Sequence, residues 1–462
     1  MKKIWLLFVC LCFTFISGCK KEDVKEPDDG EQIPPHECVA GEWEFPEGTK
    51  CLEEAAATLR CSICNEAMEV SVMKKQHNEV VEEKEETCSE DGYYKKYCTE
   101  CDYSYSIPYK ATGIHEYKYE IFNPATEKYL GLKQKVCVEC GEQGKLVKYA
   151  ANGFLDHGKL SVVGPDLVDE HGEKFQLIGI STHGLQWFAQ YVNFDTLDAL
   201  HNEFGINVIR LAMYTAEGGY CEASPERKEY FYQKVVEGVK IAAELDMYAI
   251  VDWHMVGAED PKDKNPLSYK EEAMAFFARI TEELKDYDNV LYEIMNEPNG
   301  DTTWAHCRTY ANLVIPEIRK NTDAIVLVGN PHWTANLNAV MQKPLEGYTN
   351  IMYTYHFYAK DHFQTYQVQN AYDKGFPVFI SEHGGMESSG DGEISYPNIE
   401  QWYKILDQRN ISYVAWNLSN SKGSASILKH GYESMTDFSD DALKEWGVWY
   451  KAWVRKKFGF SK

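Results

Sequence analysis

Eight short apolar runs, each followed by a longer stretch of helical periodicity, occupy the chain from residue 175 onward and leave few folds open. They are FQLIGI (175–180), NVIRLAM (207–213), YAIVDWH (248–254), VLYEIMNE (290–297), AIVLVG (324–329), IMYTYHFY (351–358), PVFISE (377–382) and ISYVAWNL (411–418). Strands this apolar are buried on both faces, which calls for parallel pairing under a layer of helices. Helical patterns at 228–245 and 271–287 fall between runs, and 441–457 closes the series. The arrangement predicts a (β/α)8 TIM barrel over residues 158–462, preceded by a hairpin around Ser161 to Leu177 with a turn at Glu170-His171-Gly172. A doubly wound open sheet is the alternative, but no glycine-rich phosphate fingerprint follows the first run and no G-x-x-x-x-G-K occurs.

Polar residues gather where a barrel needs them. His183, Arg210, His254, Asn296, Glu297, His356, Tyr358, Glu382 and Trp416 fall at or just past the C-terminal ends of runs, the face on which barrel active sites are built. Glu297 and Glu382 end runs four and seven, so their side chains converge across the mouth of an eight-stranded ring. Cleaving a glycosidic bond needs such a pair, one acid to protonate the leaving oxygen and one carboxylate to attack the anomeric carbon or activate water. A zinc hydrolase would need H-E-x-x-H or three ligands at metal spacing, and the barrel sequence has neither. Aromatics after the runs suggest a groove for a sugar polymer, although Trp253 should point outward if His254 points inward.

YEIMNEPN around Glu297 and PVFISEHG around Glu382 resemble the two glutamate motifs of glycoside hydrolase family 5, the cellulase family. The resemblance runs over residues 158–460, through GISTHGLQWF, VIRLAMYT, VDWH, YTYHFYA and AWNLS, and is close to the bacterial endoglucanase branch. It implies a retaining mechanism with Glu297 as proton donor and acid/base and Glu382 as nucleophile. It further implies that Arg210 and Tyr358 hydrogen-bond the nucleophile and that Asn296 holds the sugar 2-hydroxyl. His254 and His356 would order the polar floor, and Trp416 would stack under the sugar beside the nucleophile. His183, Trp187, Tyr214 and Trp333 are implied substrate contacts. Lys422 stands near the place where relatives often carry a lysine reaching a sugar hydroxyl, and His383 departs from the tryptophan that often follows the nucleophile. The implied activity is an endo-β-1,4-glucanase that needs no catalytic cofactor. A mannanase, mixed-linkage glucanase or xyloglucanase would use the same chemistry, and a surface polysaccharide-binding protein on a catalytically dead barrel would keep only the fold.

The remaining organising feature is cysteine, 14 in all. Met1-Lys2-Lys3, the apolar residues 4–16 and Ser17-Gly18 read as a signal peptide over 1–18. Ile16-Ser17-Gly18-Cys19 resembles the bacterial lipobox, which implies lipidation of Cys19 and a membrane anchor. Residues 19–37, rich in charge and proline, predict a flexible tether. Over 38–150, Cys51, Cys61, Cys64 and His77 recur as Cys88, Cys98, Cys101 and His115, and Cys137 with Cys140 begins a truncated third copy. Glu127 or a neighbour takes the first-cysteine position of that copy, so it does not close a site alone. Each C-x9-C-x2-C with its histidine offers four ligands to one ion, which predicts a zinc-ribbon-like region with structural zinc on those two sets. In an exported protein the same thiols can pair as disulfides, and Cys38 makes the regional count odd, at nine. A loose resemblance to cysteine-rich repeats on surface proteins of anaerobic Gram-positive bacteria implies a spacer or attachment module. Lysine plus arginine number 47 against 72 aspartate plus glutamate, a net charge of −25 that disfavours nucleic acid. The expected partners are a polysaccharide and, through Cys19, a membrane, with a monomeric barrel at the cell surface.

Overall fold

The computed structural model describes residues 36–125, 131–149, 152–257 and 260–459. The signal peptide, nearly all of the tether, Cys19 and Glu127 lie outside the described residues. The chain forms two compact units, one built on residues up to Tyr117 with Cys137–Glu142, the other on Lys118–Val136 and the chain from Gln143 onward.

The first unit carries two three-stranded antiparallel sheets, Ala40–Glu44/Glu54–Cys61/Ala67–Lys74 and Glu79–Lys84/Gly92–Cys98/Ser104–Tyr109. In each, the middle strand ends on the first cysteine of a C-x2-C turn, which leads into the third strand. A third sheet, Tyr117–Asn123/Gly131–Cys137/Gln143–Tyr149, repeats the plan. Most of it is counted in the second unit, where Lys133 is fully buried 3.8 Å from Asp246 and Lys135 lies 2.9 Å from Glu244.

This plan corrects the predicted metal sets. Cys51, Cys61, Cys64 and His77 do not meet, nor do Cys88, Cys98, Cys101 and His115. Cys51 precedes the eight-residue strand Glu54–Cys61, so it lies at the opposite end from the C-x2-C turn, about 25 Å away at 3.3 Å per residue. The sets that do converge are His36, Cys38, Cys61 and Cys64; Cys51, His77, Cys98 and Cys101; and Cys88, His115, Cys137 and Cys140. The third copy, which closes no site alone, thus shares one with the leading cysteine and the histidine of the copy before it.

In the second unit the eight runs become eight parallel strands closed in sequence order. They are β1 (Ile178–Thr182), β2 (Val208–Tyr214), β3 (Tyr248–His254), β4 (Val290–Glu293), β5 (Val326–Val328), β6 (Ile351–Tyr358), β7 (Val378–Gly384) and β8 (Tyr413–Leu418). A helix follows each: α1 (Phe194–Phe204), α2 (Pro225–Glu244), α3 (Lys270–Glu283), α4 (Trp304–Ile318), α5 (Leu337–Gln342), α6 (Tyr366–Asp373), α7 (Tyr396–Gln408) and α8 (Glu445–Lys457). Local signals set their ends. α1 starts on Asn193, whose side chain accepts from the Thr196 amide, and stops at Gly205, whose φ of 75° suits a residue without Cβ. α2 starts on Ser224 followed by Pro225, a first-turn position where a missing N–H costs nothing.

One apolar layer packs strands against helices. A second fills the barrel floor with Leu177, Val208, Tyr248, Ile250, Leu291, Leu327 and Phe379, joined by Leu167 of the hairpin Ser161–Val163/Asp166–Val168 and by Leu160 just before it. The predicted turn follows that hairpin, where the Asp169 amide donates to the Glu173 carbonyl. With the floor closed by hydrocarbon, polar side chains accumulate at the strand C-terminal ends.

Candidate active site

Strand parity decides what faces the barrel interior. Val208 of β2 and Tyr248 and Ile250 of β3 sit in the floor, so Arg210, Asp252 and His254 follow inward above them. Trp253 points outward, as expected, with ring centroids 5.3 Å from Phe276 and 6.2 Å from Phe277. On β7 simple alternation from Phe379 would turn Glu382 away from the interior. The ladder slips here: Thr354 and His356 of β6 pair with Phe379 and Glu382, two steps on one strand against three on the other. This β-bulge brings Ser381 and Glu382 both to the interior. His383 passes to the outer layer, where its Nε2 meets the Tyr403 hydroxyl at 2.6 Å.

Arg210, fully buried, is the hub. Its Nε donates to Glu293 at 2.7 Å and its Nη1 to Glu382 at 3.1 Å. Nη2 donates to Asn296 Oδ1 at 2.6 Å and lies 3.0 Å from Asp252. The other oxygen of Glu382 accepts from the Tyr358 hydroxyl at 2.7 Å, so both carboxylate oxygens are fixed by donors. Glu293 and Asp252 escaped the sequence reading, yet they divide the charge around Arg210. Burial alone would raise Glu293, but Arg210 and His356 together outweigh it and hold this carboxyl down at about 2. At Asp252 burial wins over Arg210, with Glu293 and Glu382 adding to it, and pushes the carboxyl well above the usual range.

Burial, reinforced by Arg210, lowers His254 to about 3 and keeps it neutral. Its Nδ1 therefore donates to Asp252 at 2.6 Å, and its Nε2 accepts from Asn296 Nδ2 at 3.3 Å. The second amide hydrogen of Asn296 goes to the Met255 carbonyl at 3.1 Å. A sugar hydroxyl approaching Asn296 meets the free lone pair of Oδ1 or takes over the longer contact to His254.

His356 carries the opposite charge logic. Its Nδ1 lies 2.9 Å from Glu297 Oε1 and its Nε2 2.8 Å from the Ser381 hydroxyl, which itself donates to Glu293 at 2.6 Å. Both ring nitrogens therefore act as donors. Burial opposes that charge, but the bonds toward Glu293 and Glu297 outweigh it and raise His356 to about 9. A histidine raised on folding contributes stability that is complete below its unfolded value of 6.5 and lost as pH climbs through 9. The loss is on the order of 3 kcal/mol. Unfolding temperatures measured from pH 6.5 to 10 should fall more steeply in the wild type than in His356→Gln, and parallel curves would sink this reading.

The aromatic residues form a wall and a separate platform. Tyr214 and Trp416 sandwich the His254 ring at 4.2 and 5.2 Å, and His183 lies 5.2 Å from Trp416. Trp187 continues the wall, 5.1 Å from Tyr214, and is 45% exposed. Trp333 is 56% exposed. His332, Trp333 and Thr334 hold consecutive positive φ values of 63°, 53° and 54°, a costly backbone for side-chain-bearing residues. Two bonds to the segment that bears Glu297 hold that strain, from the Trp333 amide to the Pro298 carbonyl and from the Thr334 hydroxyl to the Asn296 carbonyl. Trp333 lines a cavity of about 330 Å³ together with Glu297, His356, Tyr358 and four residues the sequence did not flag, His332, Ala335, His362 and Ser388. Lys422 is exposed on the loop after β8, and among the described residues its side chain makes none of the contacts of this cluster. Lys444 instead binds the carbonyls of Ser421, Lys422 and Gly423.

Glu297, His356 and Glu382 bring donor atoms within 4.8 Å of one another. Two glutamates this close at the C-terminal mouth of a closed (β/α)8 barrel, one fixed by arginine and tyrosine and the other by an imidazolium, define a glycoside hydrolase. The model of the family "Cellulase (glycosyl hydrolase family 5)" matches residues 168–422, and the chain belongs to that family. It is 43% identical over 297 residues to endoglucanase A of Butyrivibrio fibrisolvens, covering 63% of this chain and 68% of that one. It is 40% identical over 308 residues to an endoglucanase of Clostridium saccharobutylicum, covering 66% of each. Among solved structures, the catalytic domain of Thermobifida fusca endoglucanase in complex with cellotetraose superposes with a TM-score of 0.61 at 32% identity, over 65% of this chain and 99% of that one. The two-carboxylate chemistry of the family calls for no cofactor.

Proposed function

We infer that the barrel is a retaining endo-β-1,4-glucanase acting on cellulose-like β-glucan. The carrying observation is the separation of the two carboxylates. An approach of their oxygens to within 4.8 Å agrees with the roughly 5 Å of a double displacement better than with the about 6.5–9.5 Å of an inverting pair. Glu382, held by Arg210 and Tyr358, attacks the anomeric carbon. Glu297, with Oε1 occupied by His356, presents Oε2 to the glycosidic oxygen and gives it a proton. The departing chain leaves a glycosyl ester on Glu382, which water cleaves while Glu297 takes the proton back. Trp187 and Trp333, both exposed, suit an open groove that accepts the interior of a polymer, and the curated relatives are named endoglucanases.

Export and a lipid anchor on Cys19 belong to the same proposal, with the cysteine-rich unit as spacer or attachment module and a monomeric barrel. No helix among the described residues is long and apolar enough to cross a membrane. Reducing-sugar release should be strongest on carboxymethylcellulose, weaker on barley glucan and xyloglucan, and least on mannan. It should sediment with cell membranes and move to the medium in Cys19→Ala. Preference for mannan would overturn the substrate, and an unchanged distribution the anchor.

A further inference from the structure

We propose that the amino-terminal unit binds three zinc ions in interlocked sites of three cysteines and one histidine. Each site joins the C-x2-C turn of one repeat to the leading cysteine and the histidine of the repeat before it, with Cys38 and His36 serving the first. This assignment is independent of the catalytic reading.

The geometry is that of a tetrahedral thiolate site. With Zn–S near 2.3 Å and Zn–N near 2.0 Å, ligand atoms should stand about 3.5–3.8 Å apart. Cys51 and Cys98 sulfurs are 3.6 Å apart, and those of Cys88 and Cys137 3.8 Å. Histidine nitrogens reach Cys61 at 3.4 Å and Cys101 and Cys140 at 3.3 Å. The first cysteine of a turn accepts backbone amides from within the turn, Ile63 to Cys61 and Glu100 to Cys98, each at 3.4 Å, which suits a thiolate. At the third site Glu142 stands 3.2 Å from Nε2 of His115 while Nδ1 faces the thiols, the carboxylate–histidine support common behind zinc ligands.

The ligand inventory then closes. Nine cysteines and three histidines make three sets of four with none left over, and the odd count that Cys38 created is resolved. Disulfides cannot consume three thiols per set, and separations of 3.6 and 3.8 Å are well beyond the 2.05 Å of a bonded pair. The third repeat needs no leading cysteine because no fourth turn exists to receive it.

Packing supplies the need for metal. The two sheets of this unit expose Val70, Val72, Val80 and Val81, and their buried apolar residues are Ala57 and the cysteines Cys61, Cys88 and Cys98. Sheets with so little apolar core require another source of cohesion, and in small domains the free energy of zinc binding becomes free energy of folding. Binding exchanges thiol protons for Zn–S bonds with no change of oxidation state.

Purified full-length protein should carry three zinc ions per chain by plasma mass spectrometry, falling to two in Cys140→Ser and in Cys38→Ser. In the wild type, denaturation with chelator and without reductant should let all nine cysteines of this unit react with iodoacetamide, alongside Cys221 and Cys307, a test that needs no variant to fold. A wild-type content of two that Cys140→Ser leaves unchanged would return the ligands to sets within one repeat. That result, any other content below three, or cysteines refractory to alkylation would overturn the proposal.

Discussion

Glu382→Gln should reduce hydrolysis of carboxymethylcellulose by about 10⁴-fold or more while leaving affinity for the polymer within a factor of a few. The size follows from chemistry, because an amide is a poor nucleophile toward an anomeric carbon and no other carboxylate shares the position. Glu293 is engaged by Arg210 and Ser381, and Asp252 by His254 and Arg210. The preserved binding follows from hydrogen bonding. Glutamine can offer its oxygen to Arg210 and its amide hydrogens to the Tyr358 hydroxyl, which turns from donor to acceptor. Arg210 keeps Glu293 and Asp252, so no buried charge is stranded. Initial rates together with affinity electrophoresis on the same polymer check both halves. A residual rate above about one per cent would move the nucleophile elsewhere. Absence of turnover in the wild type would make the barrel a binding protein.

What the sequence could disclose depended on whether the signal was local. YAIVDWH declares a strand, and its parity correctly turns Trp253 out and His254 in, because alternation is a property of one strand. The same rule fails on PVFISE, where the bulge is a relation between β6 and β7 and leaves no residue signature. Glu293 was hidden differently. It lies inside VLYEIMNE, two residues beyond the floor residue Leu291, so parity alone could have marked it as an inward carboxyl needing a cation. For the cysteines the period of the repeat was legible and the partners were not. Knowing that a full strand separates Cys51 from Cys61 requires the sheet, and only then does the leading cysteine belong to the next turn. The left-handed run at His332–Thr334 contains no glycine to announce it and is held by backbone atoms of the segment that bears Glu297.

Glu297→Ala should separate the two glutamates by leaving group rather than by rate alone. A cellulose chain departs as a poorly stabilised alkoxide unless protonated, so losing the acid should slow polymer hydrolysis by roughly 10³–10⁴-fold. A dinitrophenyl cellobioside releases a phenolate that needs no proton, and its first step should slow by less than about tenfold. The second step still lacks its base, so a burst of one phenolate per enzyme should precede a slow steady state. Azide attacks without base assistance, and adding it should lift that steady state and yield the β-glycosyl azide, the product of two inversions at one carbon. The local structure favours a clean test, since His356 retains Ser381 and the charge of Glu293 when Glu297 is truncated. Glu382→Gln should fail on both substrates and gain nothing from azide, because without the nucleophile no glycosyl ester forms. Equal losses on polymer and activated substrate in Glu297→Ala, with no azide response, would exchange or abolish the roles given to the two carboxylates.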